Sequence, residues 1–188
     1  MEELEALYWA RQKEAMSHFT QADVDFMTGM IGHHAQALIM SRLAPANGAS
    51  TAIRTLAARI INAQNDEIEL MQNWLRDREQ AVPQVHIDGL NLMMHGGGDH
   101  GHHMPGMLTQ EQLEELSAAQ GMEFDRLFLT YMIQHHAGAV TMVEDLFAVD
   151  GAAQDEAAYK LASSIHVDQI TEIARMQQML DDFANQSQ

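Results

Sequence analysis

Two pairs of adjacent histidines stand in nearly the same phrase: "MIGHHAQALIM" at 30–40 and "MIQHHAGAVTM" at 132–142. Imidazole works as a general acid or base, or binds a metal through a neutral ring nitrogen. No serine, histidine and aspartate order and no glycine-rich phosphate loop accompanies these histidines, so no catalytic motif is recognised and the chain is not expected to be an enzyme. Methionines do accompany them. His33 stands three residues from Met30 and two turns from Met40, and His34 stands one turn from Met30. The second copy repeats this with His135, His136, Met132 and Met142. On a helix, successive residues turn by about 100°, so adjacent rings splay to opposite flanks of one face. The two members of a pair therefore meet different neighbours.

The elements that must hold these groups follow from period. Phe26, Met30, His33, Ala37 and Met40 step by four and three, as do Ile53, Ala57, Ile60, Gln64, Glu67, Met71 and Trp74. That is helical spacing over several turns, and no strand alternation is expected anywhere. The helices come in duplicate. Asp23, Phe26, Met30, His33, His34 and Met40 pair with Asp125, Phe128, Met132, His135, His136 and Met142 at one constant offset. A second block, "LAARIINAQNDEIELMQNWL" at 56–75, matches "LASSIHVDQITEIARMQQML" at 161–180, pairing Gln64, Glu67 and Met71 with Gln169, Glu172 and Met176. A lone helical hairpin cannot hide its apolar face, so the copies should pack as one all-α four-helix bundle with pseudo-twofold symmetry. The expected layout is a single domain over 1–188, with repeat 1 at about 20–78, a crossover at about 79–121 and repeat 2 at about 122–184. An extra helix leads the first copy. Thr20 with Asp23 and Thr109 with Gln112 read as capping boxes, the latter opening a short helix in the crossover, whose stretch 82–108 otherwise reads as a long loop.

Composition narrows the partners. Lys and Arg number 10 against 27 Asp and Glu, a formal charge of −17, which repels nucleic acid and draws cations. No apolar run reaches the roughly 18 residues needed to span a bilayer, and the first residues lack the pattern of a signal peptide. With no cysteine, 15 methionines and 11 histidines, any soft-metal site must rely on thioether and imidazole. Thioether selects soft ions such as Cu(I) and, by extension, Ag(I), ahead of zinc or iron. An amide and a carboxylate on the inner stripe (Gln64 and Glu67, Gln169 and Glu172) cost several kcal/mol if unpaired, and the facing His pairs are the expected partners. Two other readings stay open. One is a metal-free helical interaction protein whose His, Gln and Glu layer only fixes register. The other is a di-iron or di-manganese oxidase, for which the usual Glu-x-x-His is replaced here by Met30-x-x-His33 and Met132-x-x-His135. The crossover tract "LMMHGGGDHGHHMPGM" at 92–107 concentrates Met93, Met94, His95, His100, His102, His103, Met104 and Met107. It reads as an auxiliary metal-capture arm.

The phrases "FMTGMIGHHAQALIM", "FDRLFLTYMIQHHAGAVTM", "LAARIINAQNDEIELM" and "MPGMLTQEQLEEL" resemble a bacterial ferritin-like family called domain of unknown function 305. The resemblance covers nearly all of residues 20–182. It implies a ferritin-like four-helix bundle and a periplasmic or secreted setting, since some relatives are periplasmic copper- and silver-binding proteins that support metal resistance. Carried onto this chain, it implies metal ligands at Met30, His33, His34, Met40, Met71, Met132, His135, His136, Met142 and Met176, supplemented by the crossover tract.

Overall fold

The structure is a computed structural model that describes residues 2–15, 18–96 and 104–186. His100, His102 and His103 of the capture arm lie outside the described residues. Helix α1 (Glu2–Ala15) leads, followed by α2 (Gln21–Arg42) and α3 (Thr51–Asp77). Then come strands β1 (Gln84–Asp88) and β2 (Asn91–His95), the short helix α4 (Gln110–Ala118), α5 (Gly121–Ala148) and α6 (Glu156–Gln186). Both expected capping boxes form, at Thr20 with Asp23 and at Thr109 with Gln112. α1 shares no extended face with the bundle among the described residues, and Leu4, Leu7, Tyr8 and Trp9 on it are exposed.

The bundle is two antiparallel hairpins, α2 on α3 and α5 on α6, closed by contacts of α2 with α5 and of α3 with α6. Every residue of the two stripes read from the sequence is buried. Two buried aspartates lock the hairpins together reciprocally. Asp23 of α2 accepts the Ala153 N–H at 2.7 Å in the α5–α6 connection, while its twin Asp125 of α5 accepts the Ser50 N–H at 3.1 Å in the α2–α3 connection. Each carboxylate thus satisfies backbone of the opposite copy, so neither hairpin keeps its connection ordered alone.

The crossover departs from the expected loop. β1 and β2 form an antiparallel hairpin in which Val85 faces Met94 and Ile87 faces Leu92. These four are half-buried while their sequence neighbours are exposed, so period-2 alternation is present after all. The turn needs Gly89, whose φ of 58° is the left-handed value that a side chain disfavours. This hairpin lies against α2. Residues 104–108 then cross the same face: the Gln36 amide donates to the Leu108 carbonyl at 3.0 Å and accepts the Leu108 N–H at 2.8 Å. Covered by α3, α5 and the crossover, α2 is buried on every side from Phe26 to Ser41. That explains its nearly all-round apolar sequence.

Candidate metal centre

The four histidines are fully buried at the level where α2 and α5 cross. The His33 and His135 rings lie 3.9 Å apart between centroids, and those of His135 and His136 6.2 Å apart. As the 100° turn requires, the other member of each pair faces its own hairpin partner. His34 Nε2 meets Glu67 Oε2 of α3 at 2.6 Å, and His136 Nε2 meets Glu172 Oε2 of α6 at 2.6 Å. On the opposite side His33 Nε2 meets the Pro105 carbonyl of the crossover at 2.9 Å. Gly138 of α5 makes that approach possible, because a Cβ there would stand 1.9 Å from the Pro105 oxygen.

These contacts fix the proton on three rings. A carbonyl and an ionised carboxylate only accept, so in the neutral ring Nε2 of His33, His34 and His136 carries the hydrogen and Nδ1 keeps its lone pair. Each of those Nδ1 atoms is buried without a partner, and the ring nitrogens of His135 make no well-aligned hydrogen bond, the His33 backbone carbonyl offering only a weak one. Burial, reinforced by the neighbouring imidazole of His34, lowers the His33 pKa from 6.5 to about 3. Burial first, then the His33, His136 and His34 rings, push His135 well below its ordinary value. Both rings therefore stay neutral near pH 7, the state a metal ligand requires.

Methionine is buried in the same bundle. Met27, Met30, Met40, Met71, Met132 and Met176 are all fully buried. Met30 and Met71 pack in one apolar cluster with Met142 at its margin, while Met132 and Met176 pack in the other with Met40. The crossing of α2 and α5 thus hands each copy a methionine from its twin. Of the ligands expected from the helices, Met30, Met40, Met71, Met132, Met176 and the four histidines are buried, while Met142 is half-buried. The capture arm divides: Met94 and Met104 turn inward onto Gly29 and Gly32, Met107 is half-buried, and Met93 and His95 face solvent. The amides do not behave as expected. Gln64 finds no hydrogen-bond partner on either amide atom, and Gln169 none on its oxygen, because the carboxylates one turn away take the imidazole protons.

Among the described residues no three His, Asp or Glu side chains gather into a group suited to a metal. An ion held in this interior would have to take thioether sulfur together with imidazole nitrogen, which fits soft ions. Sequence reasoning gave no role to Pro105, Gly138, Gly29 or Gly32. Glycines at helical spacing on one face of an apolar helix were the available signal, since a glycine inside a helix marks a close approach.

A family model described as "Domain of unknown function (DUF305)" matches residues 23–180. The chain belongs to the DUF305 family. Solved DUF305 structures share its fold. A DUF305 protein of Streptomyces coelicolor, whose description proposes secretion, is 27% identical with a TM-score of 0.70, over 86% of this chain and 93% of that one. CopM in its Cu(I)-bound form is 28% identical with a TM-score of 0.62, over 86% of this chain and 96% of its own. CopM in its Ag-bound form is 27% identical with a TM-score of 0.62, over 85% and 96%. No curated protein matches the chain.

Proposed function

We propose that this DUF305 protein binds and sequesters soft monovalent metal ions, Cu(I) and by extension Ag(I), in the imidazole and thioether layer of its bundle. It does so as a binder in metal homeostasis or resistance, without catalysis, in the periplasm or outside the cell. One observation carries the reading. Three buried imidazoles have their Nε2–H committed to Glu67, Glu172 and Pro105, which leaves unpartnered Nδ1 lone pairs in a bundle interior that also buries six methionines. A carboxylate that holds the far side of an imidazole orients the ring and raises its basicity toward a metal. A purely structural layer would leave those nitrogens unsatisfied, at about 1–3 kcal/mol each. Glu67 and Glu172 already serve as imidazole acceptors, which speaks against a carboxylate-bridged di-metal oxidase. Similarity to the Cu(I)- and Ag-bound forms of CopM and the charge of −17 support the same conclusion.

The test is a Cu(I) titration under reducing, oxygen-free conditions against a chelator of moderate affinity, followed by native mass spectrometry. Uptake by the natural chain that falls sharply in His34→Gln/His136→Gln is the expected result. A natural chain that takes no Cu(I) from the chelator sinks the proposal.

A further inference from the structure

Three methionine side chains converge on one turn of α2, at Gly29 and Gly32. A Cβ built on Gly29 would touch Met104 Sδ and Met142 Cε, each at 3.4 Å. One built on Gly32 would stand 2.6 Å from Met94 Sδ and 3.6 Å from Met104 Cε. Met94 arrives on β2, Met104 ahead of α4 and Met142 on α5, so three separate elements bring methionine side chains to one turn of α2, Met94 and Met104 by their sulfurs and Met142 by its methyl. All three side chains are half-buried, unlike the sealed methionines of the core.

The internal repeat shows that this space belongs to one copy alone. The second-copy counterparts of Gly29 and Gly32 are Tyr131 and Gln134, whose side chains leave no such floor on α5. A glycine in a helix interior costs about 1 kcal/mol relative to alanine, and α2 carries two, one turn apart. Both floor methionines of the crossover. If filling space were the only purpose, a larger residue on α2 would do it without the backbone cost, as Tyr131 does on α5.

We infer that Met94, Met104 and Met142 form a second soft-ion site, an all-thioether pocket floored by Gly29 and Gly32. Its ligand class is a monovalent d10 cation, Ag(I) or Cu(I), because neutral thioethers bind hard divalent ions weakly. The inference deepens the proposed soft-ion function: the pocket takes none of the four imidazoles, and Met142 is the one side chain it has in common with the ligand set expected from the sequence. Half-buried where the four histidines are sealed, it would receive an ion first.

Titration of the full chain with silver nitrate in chloride-free buffer tests this, read by native mass spectrometry and by X-ray absorption at the silver edge. Met94→Leu/Met104→Leu, which keeps volume and removes sulfur, should bind one Ag(I) fewer than the natural chain. Gly32→Ala should weaken the same ion by about tenfold or more while raising the melting temperature, since alanine favours the helix and its Cβ displaces the Met94 sulfur. His34→Gln/His136→Gln should retain an ion with a sulfur-only shell. Equal stoichiometry in the natural chain and Met94→Leu/Met104→Leu, or no Ag(I) bound by the natural chain, overturns the inference. An ion lost only with the sulfurs, in a chain whose imidazoles bind nothing, would uphold this pocket and refute the proposed imidazole site.

Discussion

Acid should destabilise this bundle before any carboxylate does. The His33 pKa lies at about 3 in the folded chain against 6.5 in the unfolded one. Between those values the unfolded chain binds a proton that the folded chain does not, so stability rises with pH and is lost as pH falls below 6.5. From about pH 7 to about pH 5.5, His33 alone removes about 1.3 kcal/mol, and each further pH unit down to the folded-state value of about 3 removes about 1.4 kcal/mol. His135 is shifted in the same direction by the same burial, so the pair together should remove between about 1 and 3 kcal/mol over that interval. That range stays above the isoelectric point of about 4.8. Asp155 contributes with the same sign only further down. Burial pushes its carboxyl up, but hydrogen bonds from Trp74, Arg78 and the Ala158 N–H outweigh that and hold it below 3.8. Urea unfolding followed by circular dichroism at the two pH values measures the change, and His33→Leu/His135→Leu supplies the reference. Lowering pH also relieves repulsion within a chain of charge −17, but that contribution is common to both proteins and cancels. If the natural chain and the variant lose the same free energy, the imidazoles are not held neutral by burial and the reasoning fails.

Glu67→Gln and Glu172→Gln remove the charge behind His34 and His136 while keeping the shape, and each should weaken soft-ion affinity by about 10–100-fold in chelator competition. Gly138→Ala places a Cβ 1.9 Å from the Pro105 oxygen. Backbone must move, so stability should fall by about 1–3 kcal/mol in urea unfolding, and the His33 Nε2 proton should lose its carbonyl partner, visible in imidazole nitrogen chemical shifts. Arg78→Met strands the buried Asp155 carboxylate, which Arg78 Nη2 holds at 2.5 Å. It should cost about 3–5 kcal/mol at neutral pH, most of which should return when Asp155→Asn is added.

The helices were legible because their signals are local and repeated: the stripes from Phe26 to Met40 and from Ile53 to Trp74, and the boxes at Thr20 and Thr109, each lie within a few turns of chain. The His34–Glu67 and His136–Glu172 pairs were legible as facing groups, since duplication puts each carboxylate at the same height as its imidazole. The β-hairpin was hidden by its surroundings. Val85, Ile87, Leu92 and Met94 alternate over only two short strands, and the glycine and histidine tract that follows dominates the composition of the segment. Gln64 was misassigned because one inward turn of α3 carries both an amide and a carboxylate, and charge decides which one the imidazole takes. What Gly29, Gly32 and Gly138 approach depends on a crossover whose path no local pattern encodes.

Duplication makes the two halves equivalent, and the crossover makes them unequal. A chain has only one connection between its copies, so Pro105 can meet only one of two twin imidazoles; it meets His33, whose proton is thereby fixed on Nε2, and leaves His135 without a well-aligned partner on either nitrogen. The same strap brings Met104 onto Gly29, while Tyr131 stands at the corresponding place in the second copy. The imidazoles of the first copy are therefore oriented by Glu67 and by Pro105, whereas those of the second have only Glu172 for that purpose. Orientation in advance removes rotamer ordering from the cost of binding. On that ground, under the proposed function, the half beneath the crossover should hold an ion more tightly, which stepwise Cu(I) titration of His34→Gln against His136→Gln would show as the larger loss in His34→Gln.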